Sequence, residues 1–156
     1  MASSERIDAW WARLRSLRTV GLDTNVIIYK IQGVGRYRQL VEPLFRLITE
    51  GRLTAIISRI VEMEALVKPL HDNDAAAVDV LTLFMNRTPN LKVRDVDRGV
   101  ARRAADIRAR TGLRAPDAII AATAVEERCE ALIGNDAELA SRMFGLPYLY
   151  LGHYLG

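Results

Sequence analysis

Four carboxylates stand where an α/β fold gathers its chemistry. Asp23 follows the run Val20-Gly21-Leu22 and precedes Thr24-Asn25, and Asp136 follows Leu132-Ile133-Gly134-Asn135. Asp117 comes directly after Pro116 and opens the apolar stretch Ala118-Ile119-Ile120-Ala121-Ala122. The fourth acid is a choice between Glu62 and Glu64. At about 100° per residue, Ile60, Val61, Met63, Leu66 and Val67 define an apolar stripe with Glu64 near it and Glu62 almost opposite. A carboxylate among core-facing residues is costly unless paired or metal-bound, so Glu64 is the one that needs an explanation. Each acid also has an ordinary reading. Asp23 and Asp136 suit helix N-caps, although Val26 and Leu139 stand where a capping box has Glu or Gln. Asp117 in a first helical turn is favoured by the helix dipole, and Glu64 is open to a salt bridge with an arginine. Together they suggest more. Clustered carboxylates raise one another's pKa values unless a cation neutralises them. Carboxylates and waters hold Mg²⁺ or Mn²⁺, and one or two such ions activate water for attack on a phosphodiester.

The elements that must position these acids are readable from the pattern of apolar residues. Short apolar runs at 19–23, 53–57, 91–93, 131–134 and 148–151 read as strands. Helix-period segments fall at 4–16, 24–31, 37–50, 59–70, 73–87, 97–111, 116–128 and 136–143. Parallel pairs need crossovers, and the crossovers pack back on the sheet. The alternation therefore predicts a three-layer α/β/α sandwich with a mainly parallel, roughly five-stranded central sheet. An N-terminal amphipathic helix precedes it, so the expected organisation is a helical extension over 1–17 and one domain over 18–156. In such sheets ligands bind beyond the carboxyl ends of the strands, where Asp23 and Asp136 lie.

Composition narrows the class. The 156 residues are 50% apolar and 26% charged, with 22 bases against 19 acids, which suits one compact domain. No apolar run approaches the ~20 residues that cross a bilayer. Ile7, Trp10, Trp11, Leu14 and Leu17 are interleaved with charges, an amphipathic rather than a signal-peptide pattern. A cytoplasmic protein with no membrane partner is expected. Cys129 stands alone, which excludes an intramolecular disulfide and a cysteine-based zinc site. All but Lys30, Lys68 and Lys92 of the 22 bases are arginine, the residue better suited to bidentate phosphate contact.

The segments Asp23-Thr24-Asn25, Ser58 to Glu64, Pro116 to Ala124 and Asn135-Asp136, in this order and spacing, resemble the PIN-domain nucleases, most closely the toxins of VapBC toxin–antitoxin pairs. The resemblance runs from about residue 18 to 152. It implies an Mg²⁺- or Mn²⁺-dependent ribonuclease that cleaves RNA by metal-activated water, with Asp23, Glu64, Asp117 and Asp136 as the metal site. Thr24, Asn25 and Asn135 would orient the acids or a bound water. It further implies a homodimer and a small antitoxin whose C-terminal segment lies across the acidic groove. His71 and His153 lie outside all four segments. One departure is Gly134, where relatives often carry Ser or Thr, so that hydroxyl is missing or replaced by Asn135. A second is the helix over 1–17, for which docking on the domain through Trp10 and Trp11 is the expectation.

Candidate RNA-contacting cations are Arg36, Arg38, Arg94, Arg98, Arg102, Arg103, Arg108, Arg110 and above all Arg114, three residues before Asp117. With 6% aromatics, recognition would rest on phosphate contact rather than a base-stacking platform. Two other readings stay open: a non-catalytic PIN-like module that binds RNA or a protein, and a solitary PIN nuclease in RNA processing. A receiver domain needs a lysine near its acids, and a haloacid-dehalogenase-like phosphatase an Asp where Asn25 stands; both fit worse.

Overall fold

A computed structural model describes residues 3–143 and 145–156. Five short strands, β1 (Thr19–Leu22), β2 (Thr54–Ser58), β3 (Leu91–Arg94), β4 (Ala131–Gly134) and β5 (Tyr148–Tyr150), form one sheet. Its spatial order is β3-β2-β1-β4-β5 and every pairing is parallel. The helices between them are α1 (Ser3–Arg15), α2 (Thr24–Gln32), α3 (Gly35–Thr49), α4 (Arg59–His71), α5 (Ala75–Arg87), α6 (Arg98–Thr111), α7 (Ala115–Glu126), α8 (Ala137–Arg142) and α9 (Leu151–Leu155). The expected sandwich is thus present. The unforeseen element is α9: five residues are too few to show a helical period, and the expected last strand ran one residue into it.

β1 is the pivot of this topology. From it the chain builds outward through β2 and β3, then crosses back to place β4 on its other side. The crevice at such a reversal opens at the carboxyl ends of the two strands that flank it, here β1 and β4. Val20 pairs in register with Ala55 and Ala131, and Gly21 with Ile56 and Leu132. Val20, Leu22, Ala55, Ile57, Leu132 and Ile133 are almost fully buried, as strands covered on both faces must be.

Helix α7 covers the sheet over β1, β2 and β4 and packs against α6. Its small residues allow close approach: a Cβ at Gly21 would stand only 3.0 Å from the Ala124 Cβ. Most of α7 is buried, through Ala118, Ile120, Ala121, Ala122 and Ala124, as its near-uniform apolarity predicts. Helix α4 corrects one expectation. Its buried side runs through Val61, Glu64 and Ala65, while Met63, Val67 and Leu70 are more than half exposed. Neighbours α2, α5, α7 and β2 do not cover that outer stripe, so apolar residues alone misplace the helix's inner face. Glu64 still lies on the inner side, and Glu62 pairs with Arg59 at the surface.

Helix α1 packs against α3 and α9. Trp10 is fully buried, its ring N–H donates to the Leu40 carbonyl at 2.9 Å, and its ring sits 4.9 Å from that of Tyr154. Trp11 is half-buried beneath Arg15. Docking therefore falls to one tryptophan. Trp10→Ala is expected to lower the unfolding free energy by about 3–5 kcal/mol and Trp11→Ala by less than about 1 kcal/mol, measured by urea denaturation. Equal effects would contradict this docking geometry.

Candidate metal centre

Local rules bring the four acids toward the carboxyl edge of the sheet. Asp23 leaves β1 with its N–H still donating to the Ile133 carbonyl of β4 at 2.9 Å, which fixes its backbone between the two strands. Its side chain caps α2, with Oδ1 accepting from the Thr24 N–H at 2.7 Å. Ser58 caps α4 through the Ile60 N–H, and one turn further Glu64 accepts the Thr24 hydroxyl at 2.6 Å. Asp117 occupies the first turn of α7 behind Pro116, which suits a first-turn position that needs no N–H partner. Asp136 caps α8, its Oδ1 accepting from the Leu139 N–H at 3.0 Å. The capping readings of Asp23 and Asp136 are thus realised, and they hold both carboxylates at the rim.

Burial and mutual repulsion make this edge electrostatically unusual. Asp23 is 5% exposed, and its carboxyl is pushed up to about 6. Burial is the main cause; the Thr24 N–H opposes it, and the charges of Asp117 and Glu64 add to it. Arg114 brings a positive charge to the same acids. Its Nε donates to Asp117 Oδ2 at 3.3 Å, and its charged form is favoured first by Asp117 and then also by Asp136 and Glu64. Asp23 and Arg114 therefore both feel the charges of Asp117 and Glu64.

Tyr148 is a member of this group that the sequence did not reveal. Its hydroxyl donates to Asp23 Oδ2 at 3.3 Å and accepts the Asp136 N–H at 3.0 Å. Its own ionisation is driven far up by burial and by the Asp23 charge. Asn135 sits otherwise than expected. Its Nδ2 donates to the hydroxyls of Tyr29 (2.9 Å) and Tyr37 (2.8 Å), whose rings stack 4.2 Å apart, and its Oδ1 accepts the Gly152 N–H at 3.0 Å. With its amide engaged there, Asn135 does not replace a hydroxyl at 134. Asn25 is half-buried, and no hydrogen bond of its side chain to the described residues is found.

Could these acids take a hard cation? The donor set is all oxygen, anionic and partly desolvated, and Asp23 is a buried carboxylate with no cationic side chain bonded to it. Such a set fits Mg²⁺ or Mn²⁺. Among the described residues, however, no three His, Cys, Asp or Glu side chains converge as a formed metal site. Asp117 is held by Arg114, Glu64 by Thr24 and Asp136 by the start of α8.

Residues 20–143 match the sequence pattern of the PIN domain. The chain belongs to the PIN-domain family. Solved structures with this fold include a toxin–antitoxin complex from Klebsiella pneumoniae (22% identity, 85% of this chain and 97% of that one, TM-score 0.64). Others are VapBC2 from Rickettsia felis bound to a promoter DNA fragment (20%, 85% and 98%, 0.66) and FitAcB from Neisseria gonorrhoeae (22%, 86% and 99%, 0.66). Among curated proteins none matches. All four acids of this PIN domain lie inside the matched segment, whereas α1 and Tyr148 lie outside it.

The candidate arginines divide by partner. Arg94 pairs with Glu127 and Asp97, Arg103 with Glu126, and Arg110 with Asp106, while Arg108 donates to the Leu113 carbonyl. Arg36 lies over the Tyr37 ring, and Arg38 is exposed. Arg114, with a side chain 74% exposed, is the one bonded to a rim acid.

The raised Asp23 carboxyl sets a pH dependence in the metal-free protein. A folded-state value near 6 against an ordinary 3.8 means that ionised Asp23 destabilises the fold above pH 6. The penalty shrinks as pH falls through 6 and vanishes below 3.8. Asp23→Asn, which keeps the cap, is therefore expected to be more stable than wild type by roughly 2–3 kcal/mol at pH 8, with little difference at pH 4. Urea titrations at the two pH values check this; a variant no more stable at pH 8 contradicts it.

Proposed function

We propose that this PIN domain is a metal-dependent ribonuclease and the toxin of a type II toxin–antitoxin pair. The observation that carries the reading is the buried Asp23 carboxylate at the end of β1, which no cationic side chain pairs and which the charges of Asp117 and Glu64 oppose. Asp23, Glu64, Asp117 and Asp136 would hold Mg²⁺ or Mn²⁺. When bound, such an ion supplies a water nucleophile near neutral pH and stabilises the leaving oxygen of a phosphodiester.

The chain's own residues do the positioning. Thr24 fixes the Glu64 carboxylate through its hydroxyl, and the caps of α2 and α8 fix Asp23 and Asp136. Arg114 exchanges Asp117 for a phosphate oxygen of the incoming RNA, which frees that carboxylate for the cation. Arg36 and Arg38 extend the phosphate contact from α3. Of the 19 acids, 15 remain once these four are set aside, against 22 bases, so an acidic crevice sits in a surface with a balance of +7. Such a surface attracts RNA in a salt-dependent way.

The toxin assignment draws support from the structures of toxin–antitoxin complexes that share this fold. A cognate antitoxin would cover the crevice in the resting cytoplasmic complex. The exposed apolar residues Met63, Val67 and Leu70 on α4 and Val80 and Leu83 on α5 offer surface for protein contacts, including those of a homodimer. No helix of the described residues is long and apolar enough to cross a membrane.

Cleavage of labelled single-stranded RNA by the purified protein is expected with Mn²⁺ and not with EDTA. Asp23→Ala and Asp117→Ala are expected to abolish both this activity and growth arrest on expression. Full activity in either variant removes the assignment, and RNA binding without cleavage by the wild type favours the non-catalytic module. Arg114→Ala is expected to raise KM several-fold with a smaller change in kcat and to reduce the salt slope of RNA binding by about 1. An unchanged KM and slope would contradict the phosphate contact.

A further inference from the structure

Gly134 closes β4 two residues before Asp136, and its backbone is not in the left-handed region, so conformational freedom does not account for it. Space does. A Cβ at this position would run into the Tyr148 hydroxyl oxygen and lie 2.9 Å from its Cζ and 2.8 Å from the Asp23 Cβ. Contacts under 3.0 Å are essentially never seen for real Cβ atoms. The volume that any side chain at 134 would enter is occupied by the phenol of Tyr148.

Tyr148 reaches that volume from the neighbouring strand. It is the first residue of β5 and pairs in register with Leu132 of β4, so its ring lies along the end of β4. The hydroxyl accepts the Asp136 N–H at 3.0 Å, which leaves its proton for Asp23 Oδ2 at 3.3 Å. One oxygen thus ties the carboxyl ends of β1 and β4 to each other at the crevice.

We propose that Tyr148 is a positioning residue of the acid site, supplying from β5 the hydroxyl that Gly134 does not carry and holding Asp23 and Asp136 in register for cation binding. Gly134 and Tyr148 form one unit: the glycine exists because the phenol fills its place. This rests on the reading of the four acids as a cation site. Tyr148 acts through Asp23 and the Asp136 backbone and needs no contact with substrate.

The test uses Tyr148→Phe, which keeps the ring, and three partners: Gly134→Ser, Tyr148→Leu and their double variant. Amide hydrogen exchange in the metal-free protein reads the tether directly. The Asp136 N–H is expected to exchange faster in Tyr148→Phe; retained protection overturns the tether. Mn²⁺ titration followed by the unfolding midpoint reads the cation site. Tyr148→Phe is expected to weaken the apparent Mn²⁺ affinity about 10-fold or more and to lower kcat with little change in KM for RNA.

Gly134→Ser beside an intact Tyr148 is expected to lose Mn²⁺ response through the clash. Adding Tyr148→Leu opens space for the serine hydroxyl, so the double variant is expected to bind Mn²⁺ better than either single one. A wild type that responds to Mn²⁺ and a Tyr148→Phe that matches it overturn this proposal alone. A folded wild type silent to Mn²⁺ overturns the cation-site reading and the catalytic part of the proposal with it, while the exchange measurement still decides the tether.

Discussion

A carboxylate that has been carried out of water at the end of a central strand must find compensation nearby, and around Asp23 that requirement organises the molecule's working edge. β1 is flanked on both sides by parallel strands and covered by helices, so its end is dry. The compensation there is partial: the Thr24 N–H and the Tyr148 hydroxyl stabilise the charge, while Asp117 and Glu64 oppose it. The proposed cation would supply the compensation that these groups leave incomplete. On the proposed function, stability and activity pull in opposite directions at this one residue.

The surrounding charges show the same separation on a larger scale. Two of the arginines of α6 are neutralised by acids of α6 and α7, Arg103 by Glu126 and Arg110 by Asp106. Arg114 differs because its partner is itself a rim acid, so the pair is a latch between the basic surface and the acidic crevice. On the proposed function an arriving phosphate would compete for the guanidinium and a cation for the carboxylate, each exchange favouring the other. Exposed ion pairs contribute little to stability, so the interest of this one lies in the proposed exchange.

Much of this edge was legible in the sequence because strand ends and helix starts are local signals. Asp23, Asp117 and Asp136 announce themselves by following an apolar run or a proline and preceding a helix, and the five strands fall within a residue or two of their apolar runs. What escaped was set by contacts between distant residues. Tyr148 looks like any aromatic in a short edge strand until β5 is laid beside β4, and Gly134 reads as a lost hydroxyl until the phenol is seen in its place. Asn135 stands next to Asp136 in the chain, yet Tyr29, Tyr37 and Gly152 take its amide. The inner side of α4 was misjudged for a related reason: its apolar residues exceed what its neighbours cover, so Met63 and Val67 remain outside.

The proposed function requires that the buried Asp23 carboxylate and its three acidic neighbours bind a hard divalent cation. Isothermal titration calorimetry of Mn²⁺ into the metal-free protein at pH 7.5, with wild type and the cap-preserving Asp23→Asn side by side, tests it most directly. Saturable binding by the wild type that is lost in Asp23→Asn is the predicted result; no binding by the folded wild type, or equal binding by both, would contradict it.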